Sequence, residues 1–319
     1  MNPEIKSLWT RFRAYQLGNP GASFSYFSDN HFTLIEARLT EKSYVSLASE
    51  LKICGKTSIN TLHITSWDQD HCDFQELKEI LSKLRPTRIE YPGYEHDSDN
   101  YRNCLTAIQE YHTSRRKNGH EVIAQRIDPA YVNGLNSGAS LGYRDILYHP
   151  KQLYADSNDN STVKIFRKGM FNVASLGDVE HANIGSMLRS CRIFKGEVDI
   201  LILAHHGSNN AINSKKFFQI VNPTIAICSA DYDNQYGHPH DDVKTALFEA
   251  EVPVVTTKTG DVLIESMGNH RKQYVVTNCQ GNTTSISSQK VYESKKFHLL
   301  KMNSDTIRNR AHPGFKGLK

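Results

Sequence analysis

Three short clusters of aspartate and histidine follow directly on predicted β-strands, and this placement constrains the chain more than its composition does. Ser-Trp-Asp-Gln-Asp-His follows the strand at 62–65, Gly-Asp follows 171–176, and His-His-Gly-Ser follows 198–204. Loops at strand ends commonly carry the side chains that perform chemistry. Because carboxylates and imidazoles are ligands of first-row metals, the clusters predict a metal site assembled from distant parts of the chain.

The rest of the pattern interleaves strands with helices. In the first half, strand-like runs are followed by helices at 74–84, ended by Pro86, and at 101–112; the strand-like runs are 23–27, 32–37 and 62–65. In the second half, predicted strands lie at 162–166, 171–176, 198–204, 224–229, 252–257 and 262–266, and predicted helices at 182–191, 214–221 and 241–250. Residues 133–142 have the composition of a loop. We therefore predict an α/β fold in which two β-sheets pack together with helices outside.

Composition excludes several classes of protein. The chain has 319 residues, six irregularly spaced cysteines and a net charge of +4. Its longest apolar runs, such as 200–204, are far shorter than the ~20 residues of a membrane-spanning helix. The first residues lack the basic-then-apolar pattern of a secretory signal. We expect a cytoplasmic protein with reduced thiols and no membrane partner.

The positive charge is concentrated at the C-terminal end. Residues 289–319 contain eight basic and two acidic side chains, a local charge of +6, so the remaining residues carry about −2. Residues 281–288 have a linker-like composition. We predict one domain over 1–268 and a basic extension over 269–319 that contributes to nucleic-acid binding.

The second half contains an ordered series of motifs. The chain reads Leu-Gly-Asp at 176–178, His-His-Gly-Ser at 205–208, Pro-Thr-Ile-Ala-Ile-Cys-Ser at 223–229, Asn-Gln-Tyr-Gly-His-Pro at 234–239 and Thr-Lys-Thr-Gly at 257–260. In this order the motifs resemble the metallo-β-lactamase fold and, within it, the hydrolase domain of the DNA-uptake competence protein ComEC. The resemblance covers roughly 12–266 and is denser from 158 onward.

The resemblance implies an αββα sandwich and a metal-dependent hydrolase. It implies a phosphodiesterase, a nuclease that cleaves DNA with metal-activated water, in nucleic-acid turnover or anti-phage defence. Cofactors would be one or two divalent ions, Zn²⁺ or Mn²⁺, and the partners would be nucleic acid, with DNA favoured, and a protein.

The resemblance also implies roles for individual residues. The expected metal ligands are Asp68, Asp70, His71, Asp178, His205 and His206. We favour His205 over its neighbour because it leaves the strand directly, and we expect Asp178 to bridge two ions. Asp70 and His238 would be catalytic, with His238 binding phosphate or acting as general acid. Ser208 and Asn234 would hold the phosphate or their own loop.

The N-terminal half departs from the family pattern. Ser66 stands where the family has its first metal-ligating histidine, and Glu36 replaces an aspartate at a strand end. These changes leave three alternatives: a weak metal position, a substitute ligand such as His63 or a residue of the middle region, or a single ion. The alternative function is a degenerate metallo-β-lactamase-fold subunit that binds or scaffolds a larger complex.

Overall fold

Fifteen strands form two β-sheets in the computed structural model, which describes residues 8–135, 144–268, 272–281 and 285–297. The strands are β1 (Thr10–Ala14), β2 (Phe24–Ser28), β3 (His31–Ile35), β4 (Thr61–His63), β5 (Arg88–Pro92), β6 (Ile123–Ile127), β7 (Ile146–His149), β8 (Val163–Phe166), β9 (Val173–Ser175), β10 (Ile200–Ile202), β11 (Ile225–Cys228), β12 (Val254–Thr256), β13 (Val262–Ser266), β14 (Gln273–Cys279) and β15 (Ile286–Glu293). The larger sheet has the order β15-β14-β13-β1-β2-β3-β4-β5-β6, and the smaller sheet has the order β12-β11-β10-β9-β8-β7.

Helices cover the outer faces of both sheets. They are α1 (Glu41–Ile53), α2 (Phe74–Lys83), α3 (Asp99–Lys117), α4 (Pro129–Gly134), α5 (Ala182–Ser190), α6 (Arg192–Glu197), α7 (Lys215–Val221) and α8 (Asp241–Glu249). Alternate strand residues such as Leu62 and Ile89 pack with Leu77 of α2 in one outer core. A second outer core joins Leu201 and Ala226 to the helices of the second half. The fold is therefore the predicted αββα sandwich, with two packed β-sheets and helices outside.

Parallel pairing brings the polar clusters to one edge of the sandwich. Strands β3 to β6 are parallel neighbours in the larger sheet, and β9 to β12 are parallel neighbours in the smaller one. The C-terminal ends of parallel strands lie at the same edge, where ligands of α/β proteins commonly bind. Asp73 then begins α2, because its side chain accepts hydrogen bonds from the backbone N–H of Gln75 and Glu76.

The division into domains differs from the predicted one. Strands β14 and β15 extend the larger sheet beyond residue 268, and β13 pairs along its whole length with residues 274–278 of β14. The boundary at 268 therefore falls inside a sheet rather than at the end of a domain. Of the linker predicted at 281–288, residues 286–288 begin β15, while 282–284 lie outside the described residues, as do 298–319 of the basic extension.

Several elements of the first half were not predicted from the sequence. They are β1, α1, β5, β6, α4 and β7, and their short or weakly periodic patterns explain the omission. Helix α4 includes the first residues of the loop predicted at 133–142, and 136–143 lie outside the described residues. No helix within the described part of the chain is long and apolar enough to cross a membrane.

Candidate metal centre

Four side chains from both sheets converge at the edge where the parallel strands end. Asp70 and His71 follow β4, Asp178 follows β9, and His206 follows β10. One potential ligand atom from each residue lies within 4.8 Å of those of the other three. Two carboxylates and two imidazoles form a donor set suited to Zn²⁺ or Mn²⁺.

The polar atoms of these four residues lie close together in the way expected of metal ligands. The Nε2 atom of His71 lies 2.8 Å from Oδ1 of Asp178, and Nε2 of His206 lies 3.1 Å from Oδ2 of Asp70. These distances are short, yet Nε2 of both histidines and Oδ1 of Asp178 are buried and make no aligned hydrogen bond. Buried polar atoms are normally satisfied. Atoms that face one point without pairing fit a bound cation, so the residues present fit a divalent metal.

Electrostatics favours ionised carboxylates in this group. Burial alone would oppose ionisation of Asp70, but the neighbouring His71 and His206 hold the pKa of Asp70 well below its usual range. Asp178 is likewise buried, and His71 lowers its pKa. Burial of His71 tends to lower its pKa, but the carboxylates of Asp178 and Glu36 outweigh this effect and raise the pKa well above its usual value. Both carboxylates are therefore held in the ionised form that a metal ligand requires.

Polar contacts on the far side of each imidazole orient it toward the centre. The Nδ1 atom of His206 donates to the carbonyl oxygen of Ser229 at 3.0 Å. The Nδ1 atom of His71 lies 3.2 Å from Oε1 of Glu36, and Glu36 itself accepts from the Thr65 hydroxyl at 2.6 Å and the Thr65 amide at 3.0 Å. Such partners fix the tautomer that leaves Nε2 available to a metal.

The backbone adopts left-handed conformations where it delivers the second histidine. His205 has φ = 44° and His206 has φ = 53°, and Gly207 follows with φ = 85°. Non-glycine residues in this region carry strain of about 1–3 kcal/mol each, which is concentrated at functional sites. The tight turn separates the two neighbouring imidazoles, so that only His206 joins the group of four.

His205, which we favoured as a ligand, instead pairs with Glu180. Its Nδ1 lies 2.8 Å from Oε1 of Glu180, and the Ser208 hydroxyl donates to the same oxygen at 2.9 Å. Although burial disfavours its charged form, the hydrogen bond to Glu180 raises the pKa of His205 to about 9. The two neighbouring histidines thus differ: His206 belongs to the candidate ligand set, and His205 forms an ion pair with Glu180 beside it. Ser208 supports this pair.

Asp68 lies outside the group of four. Its Oδ2 accepts a hydrogen bond from the Ser66 hydroxyl at 2.8 Å, and its Oδ1 lies 3.3 Å from Nε2 of His96. The Ser66 hydroxyl also contacts the Tyr94 hydroxyl at 3.0 Å. Asp68 therefore has polar partners of its own, and the group that could hold a metal comprises Asp70, His71, Asp178 and His206.

A cavity of about 190 Å³ opens from the centre to the surface. It is lined by Pro20, Gly21, Asp70, His205, His206, Ser229, Ala230, Asp231, Asn234, Tyr236 and His238. Among the four candidate ligands, Asp70 has the most exposed side chain, at 35%. Substrate would therefore reach the centre past Asp70.

His238 lies in the wall of this cavity. Its ring is parallel to that of His206, with centroids 6.1 Å apart, and the ring of Tyr236 stacks on it at 5.7 Å. Burial and the neighbouring histidines lower the pKa of His238 to about 4. Asn234 holds the turn, because its Oδ1 accepts from the His238 amide at 3.1 Å and its Nδ2 donates to the His238 carbonyl at 2.5 Å.

The structure brings together segments that the sequence analysis singled out, together with supporting residues that it did not name. Glu180 and Tyr94 were not singled out, since their roles depend on contacts between loops of different strands. His63, considered as a substitute ligand, instead contacts Glu90 with its Nδ1 at 2.9 Å and lies outside the group of four.

Known proteins show distant similarity to this chain. No protein-family model matches the chain. ComE operon protein 3 of Bacillus subtilis is 24% identical over 208 residues, which cover 64% of this chain and 24% of that protein. The chain therefore matches about a quarter of the length of this relative.

Solved structures with a similar course of the chain have low identity. Igni18, a metallo hydrolase of Ignicoccus hospitalis, is 11% identical with a TM-score of 0.42 over 79% of this chain and 98% of its own. A diphosphatase of the PhnP family is 12% identical with a TM-score of 0.38 over 79% and 96%. A mutant of the β-hydroxylase CmlA is 10% identical with a TM-score of 0.48 over 82% and 54%. The assignment of the fold rests on the order of the strands in the two sheets and not on these scores.

Proposed function

We propose that this protein is a metal-dependent phosphodiesterase, most specifically a nuclease acting on DNA. The single observation that carries the proposal is the convergence of Asp70, His71, Asp178 and His206 within 4.8 Å, with unpaired atoms facing one another. Such a group binds a cation more readily than it stabilises a fold, because buried unpaired polar atoms are costly without one.

The four residues would hold one divalent ion, Zn²⁺ or Mn²⁺. When bound, such an ion supplies Lewis-acid polarisation of a phosphate oxygen and lowers the pKa of a water molecule. Asp70 would orient a water molecule at the cavity, since its side chain is the one that reaches the opening. Glu36 would act as a positioning residue that fixes the ring of His71.

The cavity wall supplies groups for a phosphate. His205, paired with Glu180, would place positive charge at the cavity and bind a non-bridging phosphate oxygen. His238 would contact the same phosphate through its ring N–H, and Asn234 would keep that ring in place.

Several features favour DNA as the substrate. The matched relative belongs to a ComE operon, and the ordered motifs resemble the hydrolase domain of ComEC proteins. The chain also carries a local charge of +6 over 289–319, which suits a polyanion. A small cavity at the protein edge, open to the surface, is compatible with one phosphodiester of an extended strand.

The test compares the wild type with Asp70→Ala/His71→Ala after loading with Mn²⁺ or Zn²⁺. Substrates are bis(p-nitrophenyl) phosphate, single-stranded and duplex DNA, and RNA. We expect metal-dependent cleavage that the double variant loses by at least about 100-fold. Metal-dependent cleavage of the aryl diester without cleavage of DNA would remove the nuclease assignment. No cleavage of any diester by folded, metal-loaded protein would leave a binding or scaffold subunit as the better description.

A further inference from the structure

The inner face of the larger sheet is polar at the edge opposite the metal centre. Thr33, Thr61 and Arg88 are register partners on β3, β4 and β5. They alternate with Leu34, Leu62 and Ile89, which belong to the outer apolar core. The inner faces of packed sheets normally form an apolar layer. Here the strands begin with side chains that suit a solvated or ligand-filled space.

An ion network lies at the base of this space. Lys164 on β8 and Glu90 on β5 are each only 6% exposed, and Nζ of Lys164 lies 2.6 Å from Oε2 of Glu90. Glu90 also accepts from Nε of Arg88 at 2.9 Å and contacts Nδ1 of His63 at 2.9 Å. Two permanent cations thus share one carboxylate. Buried charges are retained only when they are well compensated, so an additional anion would complete the balance.

A cavity of about 380 Å³ opens above this network. Its charged walls comprise Arg88, Arg144, Lys164 and Lys168 against Glu90 and Asp145, an excess of two positive charges. Lys168 and Arg144 are both exposed, and neither forms an ion pair with an acid of the described residues. Burial lowers the pKa of His31 on the rim, and the charge of Lys168 lowers it further. The field inside the cavity is therefore positive.

The remaining wall is apolar and aromatic. Tyr131 and Leu135 from the region of α4, together with Leu147 of β7, face the same cavity. Its volume lies within the ~300–1,000 Å³ range of small-molecule sites. Cations on one side and an aromatic ring on the other match a molecule with a phosphate group and a planar or apolar body.

We propose that this cavity is a second, non-catalytic site that binds a small phosphorylated molecule of the nucleoside monophosphate type. It lies at the N-terminal ends of β3, β4 and β5, whereas the metal centre follows their C-terminal ends. The site therefore does not depend on the proposed phosphodiesterase function. Its groups for phosphate are Lys168 and Arg144, with Lys164 and Arg88 behind them.

The test is isothermal titration of chelator-treated protein with inorganic phosphate and with adenosine 5′-monophosphate. The variant is Lys168→Ala/Arg144→Ala, whose exposed side chains can be removed without disturbing the core. The matched control is Lys52→Ala/Lys216→Ala, which removes two exposed positive charges from helices α1 and α7. Residual binding at the metal centre would be the same in all three proteins.

We expect the affinity for at least one probe to fall about tenfold or more in Lys168→Ala/Arg144→Ala and less than about twofold in the control. Hydrolysis of bis(p-nitrophenyl) phosphate should be the same in both variants as in the wild type. Absence of binding by the wild type, or equal losses in the two double variants, would overturn the proposal. Failure of hydrolysis in the wild type would bear on the proposed function alone.

Discussion

His71 and Asp178 approach within 2.8 Å of each other, although they follow strands of different sheets and are more than a hundred residues apart. This contact brings the segments that follow β4 and β9 together at one edge of the sandwich. Neither Nε2 of His71 nor Oδ1 of Asp178 has a hydrogen-bond partner among the described residues, which is why we propose that both atoms face a metal ion.

Glu36→Gln should weaken metal binding while the protein remains folded. Glu36 contacts Nδ1 of His71 and is held by Thr65. Loss of a carboxylate behind a ligating histidine typically reduces metal affinity by about 10–100-fold. Competition with a chromogenic chelator measures the affinity, and Glu180→Gln, which alters the partner of His205 instead, is the control. Equal affinities for Glu36→Gln and the wild type would exclude this positioning role.

Gly21→Ala should destabilise the protein more than Gly119→Ala. Both glycines have positive φ, 136° and 77°. A Cβ at Gly21 would lie 2.6 Å from the carbonyl oxygen of Asp70, whereas none of the surrounding atoms lies within 4 Å of one at Gly119. We expect the free energy of unfolding in urea to fall by about 1–3 kcal/mol at Gly21, with a smaller loss at Gly119. Equal losses would mean that backbone strain alone, and not the approach to Asp70, matters.

Stability should decline in mild acid through His149. Burial lowers the pKa of His149 to about 4, and its Nε2 donates to the carbonyl oxygen of Asp159 at 2.6 Å. Since the unfolded pKa is about 6.5, the unfolded chain binds more protons between pH 6.5 and 4. This stabilisation is complete above pH 6.5 and is lost as pH falls toward 4, by ~3 kcal/mol in total.

Urea unfolding of the wild type and His149→Gln at pH 7 and pH 5 measures this effect. The stability difference between the two pH values should be smaller in His149→Gln, because the substituted side chain does not titrate. His120→Gln, at an exposed histidine, should keep the wild-type difference. A difference in His149→Gln equal to that of the wild type would contradict the assignment.

The basic end of the chain should be separable from the fold only beyond residue 297. Ser294 and Lys295 fasten the segment after β15, through bonds from the Ser294 hydroxyl to the Met170 carbonyl and from the Lys295 amide to Asp199. We expect deletion of 298–319 to reduce the salt dependence of DNA binding, because five basic residues are removed. Metal content and unfolding free energy should stay unchanged. Deletion of 289–319 should also lower stability, since it removes part of β15.

Filter binding over a range of salt concentrations measures this slope. An unchanged slope after deletion of 298–319 would show that this segment does not contact DNA. Unchanged stability after deletion of 289–319 would show that the anchoring of Ser294 and Lys295 contributes little.

The sequence predicted the fold where the pattern was periodic and local. The helix predicted to end before Pro86 and the strands before His71, Asp178 and His206 lie where the spacing indicated. The sequence did not predict that β13, β14 and β15 join the larger sheet beside β1. Strand pairing of this kind depends on tertiary packing rather than on local propensity. For the same reason, the basic segment was divided from the domain too early.

The site was predicted in its segments but not in its geometry. The choice between His205 and His206 depends on two consecutive left-handed residues, and the pattern of residues carries no sign of that turn. Glu180 and Tyr94 act only through contacts with loops that follow other strands. Such contacts become visible only when both sheets are in place.

The metal content of three proteins tests the central claim most directly. Wild type, His206→Ala and His205→Ala are loaded with Zn²⁺ or Mn²⁺, dialysed and analysed by elemental spectrometry. We predict about one equivalent in the wild type and in His205→Ala, and less than about a fifth of an equivalent in His206→Ala. Retention of metal by His206→Ala together with its loss from His205→Ala, or a wild type with less than about half an equivalent, would contradict the account.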